Sequence, residues 1–129
     1  MIIARIPLRI SFFGGGTDIP IFYKNCDHGC VLNTTINKFL YIILKDHGEL
    51  FNEKFRLNYS ISETANNRKE IKNKIFKEIL NFFKVKQRLY LSTISDVPSS
   101  SGLGSSSALV VGLFLLFNKK FKLQMKNHE

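Results

Sequence analysis

The sequence predicts one α+β domain, and three of its features carry that prediction. Short runs rich in Val, Ile, Leu, Phe and Tyr recur through the first 60 residues and again at 88–95. Gly, Asn, Asp or Ser bound most of them, as expected of half-buried strands. Between residues 65 and 84 apolar side chains instead recur every four residues, the spacing of a helix with one buried face. After a serine- and glycine-rich stretch, residues 108–117 are apolar apart from Gly112, which suits a second, buried helix. The chain shows no internal repeat and no linker composition, and 129 residues are enough for one real core.

Taken in order, residues 2–13 are extended and interrupted by Pro7. Two short strands are expected there, because proline brings no N–H to a ladder. Gly14, Gly15 and Gly16 make a turn, and Asp18 is placed to cap a short helix with Pro20 in its first turn. Residues 29–33 and 39–45 read as two strands. Asp46-His47-Gly48 marks a turn before a third extended run, 50–60, in which Phe51, Phe55, Leu57 and Tyr59 share one parity. The helix of 65–84 lines up Ile71, Ile75, Ile79 and Phe83, with Phe76 and Leu80 widening the face and lysines opposite. Residues 88–95 form the next strand and lead into the serine loop. The domain is expected to span residues 1–118, with 119–129 a lysine-rich tail.

Bulk properties narrow the function classes. No apolar run approaches the roughly 20 residues needed to cross a bilayer, and Arg5 and Arg9 interrupt any signal-peptide pattern. A cytoplasmic protein is expected. Cys26 and Cys30 flank Asp27, His28 and Gly29, but a tetrahedral metal site needs more ligands than this segment holds, and two reduced cysteines are the simpler reading. The net charge of +9 raises the question of nucleic acid. Much of it lies in residues 68–88, eight basic residues against two acidic ones, and a solvated helix face accounts for that. No zinc-finger spacing, basic zipper or aromatic-glycine RNA signature accompanies it.

The chemistry concentrates in Asp96-Val-Pro-Ser-Ser-Ser-Gly-Leu-Gly-Ser-Ser-Ser-Ala108. Glycines let a ligand approach the main chain, and a helix starting near Ser105 would aim its unpaired N–H groups at the same point. That describes a phosphate site. The alternative is a run of serines that does no more than cap the helix. Leu103, an apolar residue between the glycines, argues against a solvated linker. No lysine follows the last glycine, so this is not a Walker loop.

Pro98-Ser-Ser-Ser-Gly-Leu-Gly-Ser-Ser-Ser-Ala108 resembles the ATP loop of the GHMP kinases, the galactokinase, homoserine kinase and mevalonate kinase superfamily. Arg5-Ile-Pro-Leu-Arg-Ile-Ser-Phe-Phe-Gly-Gly-Gly-Thr-Asp18 and Gly29-Cys-Val-Leu-Asn-Thr-Thr-Ile-Asn37 are similar to the branch that phosphorylates D-glycero-D-manno-heptose 7-phosphate. The resemblance implies the N-terminal domain of the GHMP fold, a mixed sheet packed with helices like the second domain of ribosomal protein S5. It implies ATP and Mg²⁺ as cofactors, and a phosphorylated sugar and the domain's own C-terminal half as partners; no membrane partner is expected, and the charge pattern disfavours nucleic acid.

Carried over by residue, the resemblance places Pro98, Ser101, Gly102, Leu103, Gly104, Ser105, Ser106 and Ser107 around the ATP phosphates, with Ser106 at the metal. It makes Arg9 the charge-stabilising catalytic residue. Gly14, Gly15, Gly16, Thr17 and Asp18 fall at the sugar, Asp18 sharing that role with its expected cap. Gly15-Gly16, just before Thr17-Asp18, stand where galactokinases carry Glu-His, which disfavours galactose. The family's catalytic aspartate and a further glycine-rich motif belong to sequence beyond residue 129. The chain is therefore expected to be the N-terminal half of a sugar kinase, without the C-terminal GHMP domain and with little or no turnover alone. The competing expectations are a non-catalytic nucleotide-binding remnant and a basic nucleic-acid-binding module.

Overall fold

The computed structural model describes residues 1–17, 19–26 and 28–122. Five strands form one sheet: β1 (Ile2–Phe13), β2 (Leu32–Asp46), β3 (Phe55–Asn58), β4 (Ser62–Ala65) and β5 (Leu89–Ser95). Their order is β1-β2-β5-β3-β4, and every neighbouring pair is antiparallel except β3 with β5. The helices are α1 (Pro20–Tyr23), α2 (Lys74–Phe82) and α3 (Ser105–Phe121), with a single 3₁₀ turn at Arg68–Glu70. Alternate residues of the strands, among them Ile6, Leu8, Leu40, Ile42, Leu44, Phe55, Leu57, Leu89 and Leu91, are buried in one core with α2 and α3. This is the expected α+β architecture, a mixed sheet covered by helices.

Helix α3 crosses β1 and β2 at close range because Gly112 lets it. A Cβ at that position would lie 2.5 Å from Ile42 Cδ1 and 2.6 Å from Ile6 Cδ1. Ala108, Gly112 and Leu116 form one buried row and Leu113 and Phe117 a second. The opposite side of α3 is not buried: Val111 and Leu115 are about half exposed, so the apolar run does not mark a helix buried all round as expected. The helix also runs through Phe121, past the boundary at 118. Phe121 stacks on Phe117 at 5.8 Å, and Lys120 pairs with Asp46 at 2.5 Å. The expected tail from 123 onward lies outside the described residues.

Several expected elements differ. Residues 2–13 are one strand, because Pro7 sits on an edge strand and the chain passes it with a shift of register: Pro7 pairs with Phe39, Arg9 with Thr35. The two strands expected at 29–33 and 39–45 are likewise one, β2, with that irregularity inside it. The run at 50–60 shortens to β3, where Phe55 and Leu57 face the core. Phe51 lies outside it and stacks on the buried ring of His47 at 4.3 Å.

The helix expected over 65–84 is only nine residues long. Asn67 and Glu70 close a capping box around the 3₁₀ turn, and Asn73 caps α2 by accepting a hydrogen bond from Phe76 N at 3.3 Å. These asparagine side chains compete with continuous helix for the backbone donors. Ahead of them Ser62–Ala65 forms an edge strand that no apolar alternation announced; only Ala65 is buried. At the other end of the chain, the residue in the cap position of α1 is Ile19, with Pro20 at the first helical position, and not the expected Asp18. Asp18 itself lies outside the described residues.

Candidate active site

The serine loop begins firmly. Asp96 N donates to Phe39 O at 3.0 Å, and Phe39 N donates to Asp96 Oδ2 at 2.8 Å, which ties the end of β5 to β2. Three residues then take left-handed φ angles, Ser100 at 63°, Gly102 at 73° and Gly104 at 75°, and fold the loop onto the start of α3. Gly104 is the N-cap, and no side chain caps the helix. The amides of Ser105, Ser106 and Ser107 precede the first intrahelical bond, Ala108 N to Gly104 O at 3.0 Å. Their three hydroxyls make no hydrogen bond among the described residues. Serines that merely capped the helix would have spent those hydroxyls on its amides. Here both sets of groups remain available to a ligand.

A cleft of about 300 Å³ opens beside them. Leu40, Phe76 and Leu109 supply apolar wall, Tyr59 and Asn73 supply polar groups, and Pro98, Ser105 and Ser106 form the rim toward the loop. Tyr59 donates to Glu63 Oε2 at 3.0 Å. Burial first, then that hydrogen bond and the Glu63 charge, raise the Tyr59 hydroxyl above its ordinary pKa, so it stays a neutral donor. Among the described residues, no lysine or arginine lines this cleft. Any charge facing a phosphate must come from its edge.

Arg9 stands at that edge. Its amide donates to Leu103 O at 3.1 Å, joining the edge strand β1 to the middle of the loop. Its side chain lies against Gly104: a Cβ there would be 3.0 Å from Arg9 Cγ and 3.1 Å from Nε. The guanidinium donates to Ser11 Oγ at 3.0 Å and forms one wall of a second cleft, about 320 Å³, with Ser11, Gly15, Gly16, Val31 and Asn33. The two sequence motifs, about 90 residues apart, therefore meet at Arg9 and Gly104.

The glycine turn has a different construction. Gly14 takes φ 71°, and a Cβ on it would sit 1.8 Å from Cys30 O; one on Gly29 would sit 2.2 Å from Thr17 O. Thr17 Oγ1 donates to Gly14 O at 2.8 Å and lies 3.2 Å from Cys30 O. Thr17 thus locks the turn against the segment before β2, whereas Gly15 and Gly16 line the cleft. Gly102 is open, with nothing within 4 Å of a Cβ built on it. The lining residues without an assignment from sequence include Ser11 and Asn33 in the second cleft and Tyr59 and Asn73 in the first. Strand register and sheet order bring them there.

Known proteins resemble the chain in sequence and in fold. The family model for the GHMP kinases N terminal domain matches residues 68–129. The D-glycero-alpha-D-manno-heptose 7-phosphate kinase of Campylobacter jejuni is 37% identical over 97% of the chain, which covers 39% of that protein. The mevalonate kinase of Saccharolobus solfataricus is 27% identical over the whole chain, which covers 41% of it. The chain thus spans about two fifths of the length of these curated relatives. Among solved structures, a D-glycero-D-manno-heptose 1-phosphate kinase from Bacteroides thetaiotaomicron superposes with a TM-score of 0.77 over 98% of the chain and 44% of its own, at 22% identity, a likeness of fold. The chain carries a GHMP kinase N-terminal domain.

Proposed function

We propose that these residues are the nucleotide- and sugar-binding part of a cytoplasmic ATP-dependent kinase whose substrate is D-glycero-D-manno-heptose 7-phosphate. The reaction moves the γ-phosphoryl group of ATP to a sugar hydroxyl and leaves ADP. The observation that carries the reading is the contact of Arg9 with Gly104, which sets one guanidinium between the serine loop and the glycine-lined cleft.

Each group has work to do in such a transfer, which depends chiefly on positioning and charge stabilisation. The amides of Ser105–Ser107 hold phosphate oxygens at the positive end of α3, and Gly102 leaves the main chain open to them. The apolar cleft beside Tyr59 and Asn73 takes the base and ribose. Arg9 stabilises negative charge on the transferring group, and Ser11 holds its guanidinium toward the second cleft. Gly15, Gly16 and Asp18 meet the sugar. The uncommitted hydroxyl of Ser106 fits a hard cation, and Mg²⁺ bound there with ATP oxygens would supply charge neutralisation. The catalytic aspartate belongs to the family's further part, so residues 1–129 bind without completing the transfer, and the ATP-binding domain, expected over 1–118, runs to the end of α3 at Phe121.

The test is ADP release dependent on heptose 7-phosphate, measured with residues 1–129 alone and with the C-terminal part of a heptose 7-phosphate kinase supplied in trans. Release only in the mixture is expected. MgATP binding with no sugar-dependent release in either case would identify a non-catalytic nucleotide-binding domain.

A further inference from the structure

The positive charge of residues 68–88 faces neither cleft, and the structure gives part of it a defined shape. Two adjoining recesses, about 150 and 480 Å³, share Asn67 and Arg68 in their walls. Phe55 and Val85, 1% and 2% exposed, line the smaller, with Lys54, Arg68 and Lys86 around them. These cations come from three segments: the residue before β3, the 3₁₀ turn, and the connection from α2 to β5. A solvated helix face would spread its lysines along one element. Here separate pieces of chain converge.

The local acid does not neutralise them. Glu70, the carboxylate on the larger recess, accepts hydrogen bonds from Asn66 N at 2.9 Å, Asn67 N at 3.2 Å and the Asn67 side chain at 2.9 Å. Among the described residues, no carboxylate forms an ion pair with Lys54, Arg68 or Lys86. Arg68 spends one donor on Leu80 O at 3.1 Å, which holds its guanidinium in place and leaves further donors of the fork unspent. The Lys54 backbone is fixed by Asn66 Oδ1 at 3.1 Å and Ala65 O at 3.2 Å. Three positive groups, two of them on anchored backbone or side chain, surround a recess with a buried apolar base. Such a site is complementary to a small multivalent anion.

We propose that this recess is a second anion site, binding the phosphate group of a small phosphorylated molecule apart from the nucleotide cleft. The larger recess, with Lys69 and Asn81, receives the remainder of that molecule. Helix α2 separates the two sites: Asn73 at its start lines the nucleotide cleft, and the recess lies near its end, about 13 Å away for nine residues.

The test is an amide NMR titration of residues 1–129 with inorganic phosphate and then glycerol 3-phosphate, at constant ionic strength set by sodium chloride. Saturable shifts are expected at residues 67–70, 81 and 86, unchanged in Ser106→Ala. Apparent affinity should fall at least about tenfold in the double variant Arg68→Gln, Lys86→Gln, since each substitution removes a charge-assisted contact. Lys86→Gln alone, which sacrifices no hydrogen bond in the structure, should weaken binding about threefold and keeps the test usable should Arg68→Gln disturb folding. Shifts confined to residues 101–107, shifts that fail to saturate, or equal affinity in Lys86→Gln would overturn the proposal. So would a short RNA binding along the whole 68–88 surface while phosphate alone does not saturate, since the surface would then be a polyanion track.

Discussion

The cleft rimmed by Ser105 and Ser106 and the cleft lined by Arg9 are built in opposite ways. The first cleft, proposed for the nucleotide, rests on the core: Leu40 and Phe76, 5% and 0% exposed, form its wall, and the loop above it is tied to β2 through Asp96 and Phe39. The second cleft is made on the turn between β1 and β2, where Phe13, Ile21 and Leu32 are exposed and the chain is held by glycine backbone packed on carbonyls. One site uses side-chain packing to position backbone donors. The other uses the lack of side chains to bring two backbone segments together. Substitutions should therefore damage the first cleft through its ligand and the second through its fold.

Gly14→Val should have the largest effect. It forces a branched residue to φ 71° and drives Cβ into the Cys30 carbonyl, so a loss of about 3 kcal/mol is expected in urea unfolding. If stability is unchanged, the glycine turn does not hold the second cleft. Gly104→Ala combines a left-handed φ of 75° with displacement of the Arg9 side chain. It should cost about 1–2 kcal/mol of stability and lower MgATP affinity about tenfold, the second read by calorimetry.

Ser106→Ala separates the two properties. Its hydroxyl has no partner among the described residues, so unfolding should move by no more than about 0.5 kcal/mol while Mg²⁺-dependent nucleotide affinity drops about tenfold. Gly102→Ala sharpens the comparison with Gly104→Ala, since both have the same backbone requirement but only Gly104 touches Arg9. A stability loss of about 1 kcal/mol from φ alone is expected, with Arg9 undisturbed; its amide and side-chain NMR signals report that.

Much of this contrast was legible in the amino acids. The Ser-Gly loop and the start of α3 at Ser105 follow from residue types alone, because glycines, a cap position and an apolar run are local signals. The pattern Asn67-x-x-Glu70 was equally local, and reading it as a capping box would have split the long helix where the structure does. The short strand Ser62–Ala65 was not legible, since its polar residues pair at a sheet edge and bury only Ala65. Nor was the Arg9–Gly104 contact, which depends on β1 lying at the other edge with the serine loop bonded to it. Tyr59 and Asn73 reach the first cleft only because β3 pairs beside β5 and α2 packs over them. Local chemistry announced the serine loop and the helix start behind it; the partners of that loop were set by sheet order.

A MgATP titration of residues 1–129 followed at the backbone amides of Ser105, Ser106 and Ser107 tests the central claim most directly. These amides should shift together and saturate with added MgATP, because they are the unpaired donors at the head of α3. Binding that leaves all three unmoved, or no binding in a folded chain, would contradict the assignment of this loop as the phosphate cradle.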